Sequence, residues 1–378
     1  MLREIPGAFA TELRSLDSRG TRGLEAAEAA ASVTLAVLGA LALHSGEPWW
    51  AGITAFMVTR ASPSLAVSRA IMRVAGSIVG ALAALFVLRF FIYQSLPFLS
   101  SLFVLSCIGM FGFVCSRFGY AWLVGAVTAC LVLLMSLDQP QGAFDTAVNR
   151  VAEVMIGTIA ALIVVGLSPR PADAGAAPAA DLIDPPPLAF WRRRYGAEQR
   201  HWLLGKKPLL WHACRGGLTV MLMPALADWL APESPVTMGV TVVMVMSIPT
   251  TAILESDSRV IIQRGVHRLI GCLLGALMGL ACLAIVGSDF LLWIVLIPPG
   301  IWLCSQIQTG SAGISYIGTQ AMFAYVMSMV QGQGPPDSIS PGFNRLVGVM
   351  GGLSILFIVT LVLSLIPLSQ RSPAPADD

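Results

Sequence analysis

The segment RAIMRVAGSIVGAL at residues 69–82 returns as RGVHRLIGCLLGAL at residues 264–277. In both copies an arginine pair at i, i+4 (Arg69 and Arg73; Arg264 and Arg268) precedes a glycine pair at the same spacing (Gly76 and Gly80; Gly271 and Gly275), at a constant offset of 195 (264 − 69 = 275 − 80). Working outward, Asn149-Arg150 returns as Asn344-Arg345 at that separation (344 − 149 = 195). In the other direction Pro48 and Gly52-Ile-Thr54 align with Pro235 and Gly239-Val-Thr241 at 187 (235 − 48), which implies about eight residues inserted around Ser247 to Leu254. Self-similarity at one long period means two copies of a single structural unit joined in tandem.

Each unit is built for lipid. Of the 378 residues 56% are hydrophobic and 12% charged, and the mean hydropathy is +0.77, which excludes a soluble globular domain. The net charge of +2 gives no reason to expect nucleic acid or an acidic partner. Seven cysteines fall in or beside apolar runs without a C-x-x-C, and four histidines are scattered, so neither a disulfide framework nor a metal site is expected. No set of nucleophile, base and orienting group appears, so an enzyme is not expected either. The polar start, from Met1 to about Glu28, lacks the short basic flank of a signal peptide, so the first apolar run is expected to remain in the mature chain.

A membrane-crossing helix needs about 20 mostly apolar residues. Such runs begin near Ala29, Ile71, Leu96, Gly119 and Val151, and again near Ala213, Val236, Leu269, Phe290, Gly313 and Leu346. Trp49 to Thr59 is only 11 residues, but its repeat partner, Val236 to Leu254, runs 19 residues without a charge, which promotes both to spans. The expectation is an all-α polytopic membrane protein of about 12 helices, in two six-helix repeats related by a pseudo-twofold axis along the membrane normal. The expected organisation is an N-terminal cytoplasmic segment (1–24), a first repeat (25–168), a Pro- and Arg-rich cytoplasmic linker (169–211), a second repeat (212–367) and a cytoplasmic tail (368–378). Both termini are placed inside, because this leaves only Arg89, Arg150 and Arg345 of the 23 Lys and Arg outside.

Arg150 and Arg345 therefore break the charge bias twice, at matched positions, each after an Asn and each opening an apolar helix. They are either outer-end anchors or, with Asn149 and Asn344, a substrate site, since a guanidinium fork suits a carboxylate. Glu153, one turn beyond Arg150, is matched by Gly348; it is either a local ion-pair partner or the carrier of a coupling proton. Arg69, Arg73, Arg264 and Arg268 are either snorkelling anchors or a basic vestibule at the inner mouth. Gly76, Gly80, Gly271 and Gly275 read as helix-packing positions. Trp49-Trp50 reads as part of an aromatic belt or a surface for an aromatic substrate, and Gln306, Gln308, Thr309, Gln320 and Thr128 as path lining or interhelical bonds.

The repeated pattern resembles the fusaric acid resistance and aromatic acid exporter family of bacterial inner-membrane proteins. The similarity rests on the Trp-containing second span (Pro48 to Ala55), the Arg-x-x-Gly-x-x-x-Gly opening of the third (Arg73 to Gly80) and the Arg-led sixth (Arg150 to Gly157), and covers roughly residues 25–168 and 212–366. The resemblance implies export of aromatic or other organic acids, often with a periplasmic adaptor, and a distant similarity to plant malate channels. Many members carry a large cytoplasmic domain between the halves, where this chain has roughly 40 residues. The functional expectation is a proton-coupled exporter of organic, aromatic carboxylates. The alternatives are a passive organic-anion channel or a membrane scaffold without transport. Expected partners are the lipid bilayer, a small organic acid, a periplasmic adaptor and a second copy in a homo-oligomer; no cofactor is expected.

Overall fold

The computed structural model describes residues 5–59, 63–168, 206–230, 235–254, 258–336 and 340–365. The expected linker, except its last residues, and the expected tail lie outside the described residues. Among those described, the architecture is all-helical. The helices are α1 (Ile5–Arg14), α2 (Thr21–Ala42), α3 (Pro48–Thr59), α4 (Pro63–Phe91), α5 (Ser95–Cys115), α6 (Gly119–Met135), α7 (Ala143–Leu167), α8 (Lys207–Leu230), α9 (Pro235–Met246), α10 (Thr250–Leu254), α11 (Ser258–Val286), α12 (Phe290–Gln308), α13 (Ser315–Met329) and α14 (Ser340–Ser364).

Seven of these described helices are long and apolar enough to cross a membrane: α2, α4, α5, α7, α11, α12 and α14. Their outer faces carry the rows a bilayer would cover; Val79, Leu82, Phe86 and Phe90 on α4 are 56–62% exposed. Contiguous exposure of that kind is foreign to a soluble monomer.

The short second helices behave differently. With 12 residues each, α3 and α9 reach only about 18 Å at 1.5 Å per residue, well under a hydrocarbon core of about 30 Å. They need not reach further, because protein surrounds them: eleven of the twelve residues of α3 are buried, against α2, α7 and α13 among others. The uninterrupted span expected over Val236 to Leu254 is not formed. The helix stops at Met246, three residues without regular structure (247–249) follow, and α10 resumes for five residues. Pro249 accounts for the break, since its ring disfavours a helical conformation at Ile248 and it has no N–H to donate. The Met246 carbonyl at this break accepts both the Ile248 amide at 2.9 Å and His212 Nε2 of α8 at 2.7 Å.

Glycine lets helix backbones touch. A methyl group at Gly76 or Gly80 of α4 would collide with the carbonyls of Ala121 and Gly125 on α6. At Gly271 and Gly275 of α11 it would collide with those of Ile317 and Ala321 on α13. Gly157 of α7 meets the Ala51 carbonyl and Gly352 of α14 the Met238 carbonyl, again at matched positions (352 − 157 = 195; 238 − 51 = 187). In lipid, where burial of apolar surface drives little, such close approach supplies the dispersion contacts that hold helices together.

Contacts between the two parts of the chain are reciprocal: α5 packs on α8, α2 on α12, α6 on α9 and α3 on α13. Phe56 of α3 meets Phe323 of α13 edge to face at 6.4 Å. The N-terminal segment, expected only as a polar lead, forms a docked helix. Ile5, Ala8 and Phe9 of α1 pack on Ile307, Ile314 and Ile317. Glu12, 1% exposed, accepts from Arg22 Nη2 at 2.9 Å and from the Ala312 amide at 2.7 Å.

Candidate functional site: an arginine-lined cavity

The short helices leave room at the centre. Between α3, α6 and α9 lies a chamber of about 220 Å³, at the end where α3 and α9 begin, lined by Glu47, Trp49, Leu131, Val236 and Thr237 among others. It adjoins a narrower chamber of about 80 Å³, whose wall includes Met57, Tyr120 and Phe323, and the two share Trp50, Val240, Arg268, Met327 and Arg345. The narrower chamber is lined by four arginines: Arg73 of α4, Arg150 of α7, Arg268 of α11 and Arg345 of α14. All are buried, at 6, 3, 2 and 9% exposure respectively.

Burying a guanidinium is costly unless its donors are met. Arg73 donates from Nε to Thr54 Oγ1 at 3.2 Å and from Nη1 to the Tyr120 hydroxyl at 2.7 Å. Arg268 repeats the first contact, Nε to Thr241 Oγ1 at 3.2 Å, and gives Nη1 to Gln320 Oε1 at 2.6 Å. These partners are neutral, so they satisfy hydrogen bonds and leave the charge uncompensated. Arg150 lies over the face of Trp50, Cζ 3.7 Å from the ring centroid, while its Nε and Nη1 have no hydrogen-bond partner. The cation–π contact contributes about 1–2 kcal/mol to holding the fork in place. In Arg345, Nη1 meets Met327 Sδ and Nε has no partner. Unsatisfied donors on two matched arginines beside a cavity are what an anion would complete.

The acidic residues take distinct positions. Glu47 lines the larger chamber and accepts from Trp50 Nε1 at 2.7 Å. Burial pushes its carboxyl above the usual range, against the Trp50 hydrogen bond and the pull of Arg150. Glu153 points to the loop before α3, accepting from Ser45 Oγ at 2.8 Å and from the Glu47 amide at 2.9 Å.

The structure thus brings Arg73 and Arg268 together with Arg150 and Arg345, and separates them from Arg69 and Arg264. Arg69 is half-buried outside the chambers. Arg264 stacks on Tyr316 at 4.6 Å and reaches the Met244 carbonyl at 3.5 Å, near the C-terminus of α9, where the helix dipole favours a cation. Asn149 and Asn344 do not line either chamber, and Asn149 is exposed. Adjacent helical residues point about 100° apart, so a neighbour of an inward arginine faces elsewhere. Sequence reasoning passes over Thr54 and Thr241 as arginine partners, although both sit in the repeated Gly-x-Thr, and over Tyr120 and Glu47.

The fold and this cavity define a helical membrane protein with a cationic centre. Two family models match the chain, the fusaric acid resistance protein family over residues 26–182 and a fusaric acid resistance protein-like model over 221–359. The chain belongs to the fusaric acid resistance protein family. Among curated proteins it is similar to "Uncharacterized transporter YdhK" of Escherichia coli strain K12, 27% identical over 151 residues, and to the protein of that name in Salmonella typhimurium, 27% over 148 residues. Each alignment covers 38% of this chain and 22% of the relative, so the chain spans about a fifth of the relatives' length. No solved structure matches. The relatives carry the name of a transporter, and this chain shares with them a stretch of about 150 residues.

Proposed function

We propose that this protein exports organic carboxylate anions, aromatic ones among them, across the bacterial inner membrane, binding the carboxylate between Arg150 and Arg345. The observation that carries the reading is the convergence of two repeat-related arginine pairs, 73/268 and 150/345, on one cavity, with unmatched donors on the second pair. Two six-helix halves about a pseudo-twofold axis would produce this convergence, and the reciprocal packing of α2 on α12 and α5 on α8, with one family model per half, supports that arrangement. Trp50 and Phe323 in the same wall suit an aromatic ring beside the carboxylate. With the interior negative, an anion gains about 2.3 kcal/mol per 100 mV on leaving.

The orientation is tested by thiol labelling. In a cysteine-free background, Gly46→Cys and Gln141→Cys should react with an impermeant reagent from outside, and Ala176→Cys only after lysis. Reaction at Ala176→Cys from outside would reverse the membrane sidedness and with it the direction of transport.

Proton coupling belongs to the same reading, and Glu153 is its proposed carrier. Its carboxylate holds the Ser45 hydroxyl and the Glu47 amide, so a proton on Glu153 weakens the hold on the segment leading into α3. Glu153→Gln should remove the response to a pH gradient in everted vesicles while leaving substrate exchange partly intact. Unchanged gradient-driven uptake would discard coupling at this residue.

A further inference from the structure

The cavity contains its own carboxylate. Glu47 stands on a loop that is held from several sides. His44 takes a left-handed conformation (φ 53°) that ends α2, and the Ser45 amide returns to the Ala40 carbonyl at 2.9 Å. Glu153 of α7 accepts from Ser45 and Glu47, while Gln333, from the turn after α13, donates to the Ser45 carbonyl at 2.8 Å. A loop fixed by both parts of the chain presents the Glu47 side chain to the larger chamber, against the edge of the Trp50 ring whose face carries Arg150.

From this geometry we infer that Glu47 is a built-in electrostatic competitor at the arginine-lined cavity: ionised, its carboxylate repels an incoming organic anion, and it yields the site when it takes up a proton. The inference rests on the carboxylate-binding reading above. The charged groups around Glu47 among the described residues are Arg150 and Glu153 from α7, Arg268 from α11, Arg345 from α14, and the exposed His44 of its own loop. From α6 and α9 the chamber receives Leu131, Met135, Val236, Thr237 and Val240, none of which titrates. Burial moves the Glu47 titration upward from the ordinary carboxylate range. The linkage has a definite sign: ionised Glu47 at high pH opposes anion binding, and its protonation as pH falls favours it.

Glu47→Gln is the informative substitution, because the amide oxygen can still accept from Trp50 Nε1 and the loop contacts run through backbone and Ser45. Benzoate binding to the purified full chain would be titrated calorimetrically between about pH 5.5 and pH 8, where benzoate stays ionised. The wild-type protein should bind more tightly at the acid end. Glu47→Gln should bind about tenfold more tightly than wild type at the alkaline end, the effect of one unit of coupling between a proton and an anion, and should show a clearly shallower pH dependence than wild type. Glu47→Asp should keep the charge and the slope, which separates titration from loop damage. A pH-independent wild-type affinity, or a Glu47→Gln slope equal to that of wild type, overturns the competitor role. Arg150→Ala/Arg345→Ala in the same titration reports on the site itself: wild-type affinity there, or no benzoate binding by the wild-type protein, overturns the carboxylate reading and this inference with it.

Discussion

Alanine at both Arg150 and Arg345 is expected to eliminate measurable carboxylate binding while leaving the helices in place. Each guanidinium offers charge-assisted hydrogen bonds worth about 1.5–3 kcal/mol, or about 10- to 150-fold in affinity. The two losses should not add if, as proposed, both forks serve one anion; the second substitution should then cost less than the first. Arg150→Lys should recover part of the loss, since the ammonium keeps the charge and forfeits the planar fork. It also stacks less well on Trp50, whose ring lies 3.7 Å from the Arg150 Cζ. Outer-end anchors would behave otherwise, with lysine fully tolerated and each site independent. The measurement is calorimetric titration with benzoate of single and double variants shown to be monodisperse.

The second large effect falls on stability. Valine at Gly275 should cost about 3 kcal/mol, the upper part of the range for overpacking, because its Cβ would collide with backbone atoms of Ala321, which cannot rotate away as a side chain can. The same change at Gly80, which meets the Gly125 carbonyl, should act alike. Valine at Gly166 of α7, where nothing lies within 4 Å of the place its Cβ would take, should be tolerated. Thermal unfolding in detergent separates the cases: a lowered melting temperature for the first two and an unchanged one for the third. Equal behaviour of all three would mean that helix contact at the repeated glycines is not what holds α4 to α6 and α11 to α13.

Much of this is legible in the sequence because duplication writes important positions twice. Arg150 and Arg345 stand out by their offset and by their break with the charge bias, and both line the cavity. The spacing Gly76 to Gly80 and Gly271 to Gly275 names the contact faces. Spacing alone cannot tell that Arg73 turns inward to Thr54 and Tyr120 while Arg69, one turn away, does not, because i, i+4 fixes a shared helix face and not what stands opposite it. The same spacing puts Arg268 in a vestibule, yet Thr241 and Gln320 draw it to the centre.

Other features depend on tertiary surroundings that no local pattern encodes. The length of α3 looks inadequate for a membrane until its burial among other helices is known, and Pro249 is hidden within an uncharged run whose apolar character suggests continuity. Glu47 attracts no notice in the chain, being a lone acid before a proline. Its interest arises from the loop that Glu153 and Gln333 hold over the cavity. The docking of α1 on α12 and the turn that follows it joins residues about 300 apart in sequence, as in the Ala312 to Glu12 contact, a distance at which pairing cannot be read from one chain.

The two halves of the cavity are alike in arginine and unlike in acid and aromatic residues. Trp49-Trp50 is matched by Val236-Thr237, and Glu153 by Gly348. Under the proposed reading, twofold cation placement with one-sided carboxylates would favour one substrate orientation, since pockets of this kind combine apolar walls with a few convergent polar groups.

The decisive measurement is flux of labelled benzoate in proteoliposomes under a potassium-diffusion potential. Wild-type protein should give saturable benzoate movement toward the positive side that grows with the imposed potential, and the monodisperse Arg150→Ala/Arg345→Ala protein should reduce it to the level of empty liposomes. Equal flux through the wild-type and double-variant proteins, or none through either, would contradict carboxylate transport through the arginine-lined cavity.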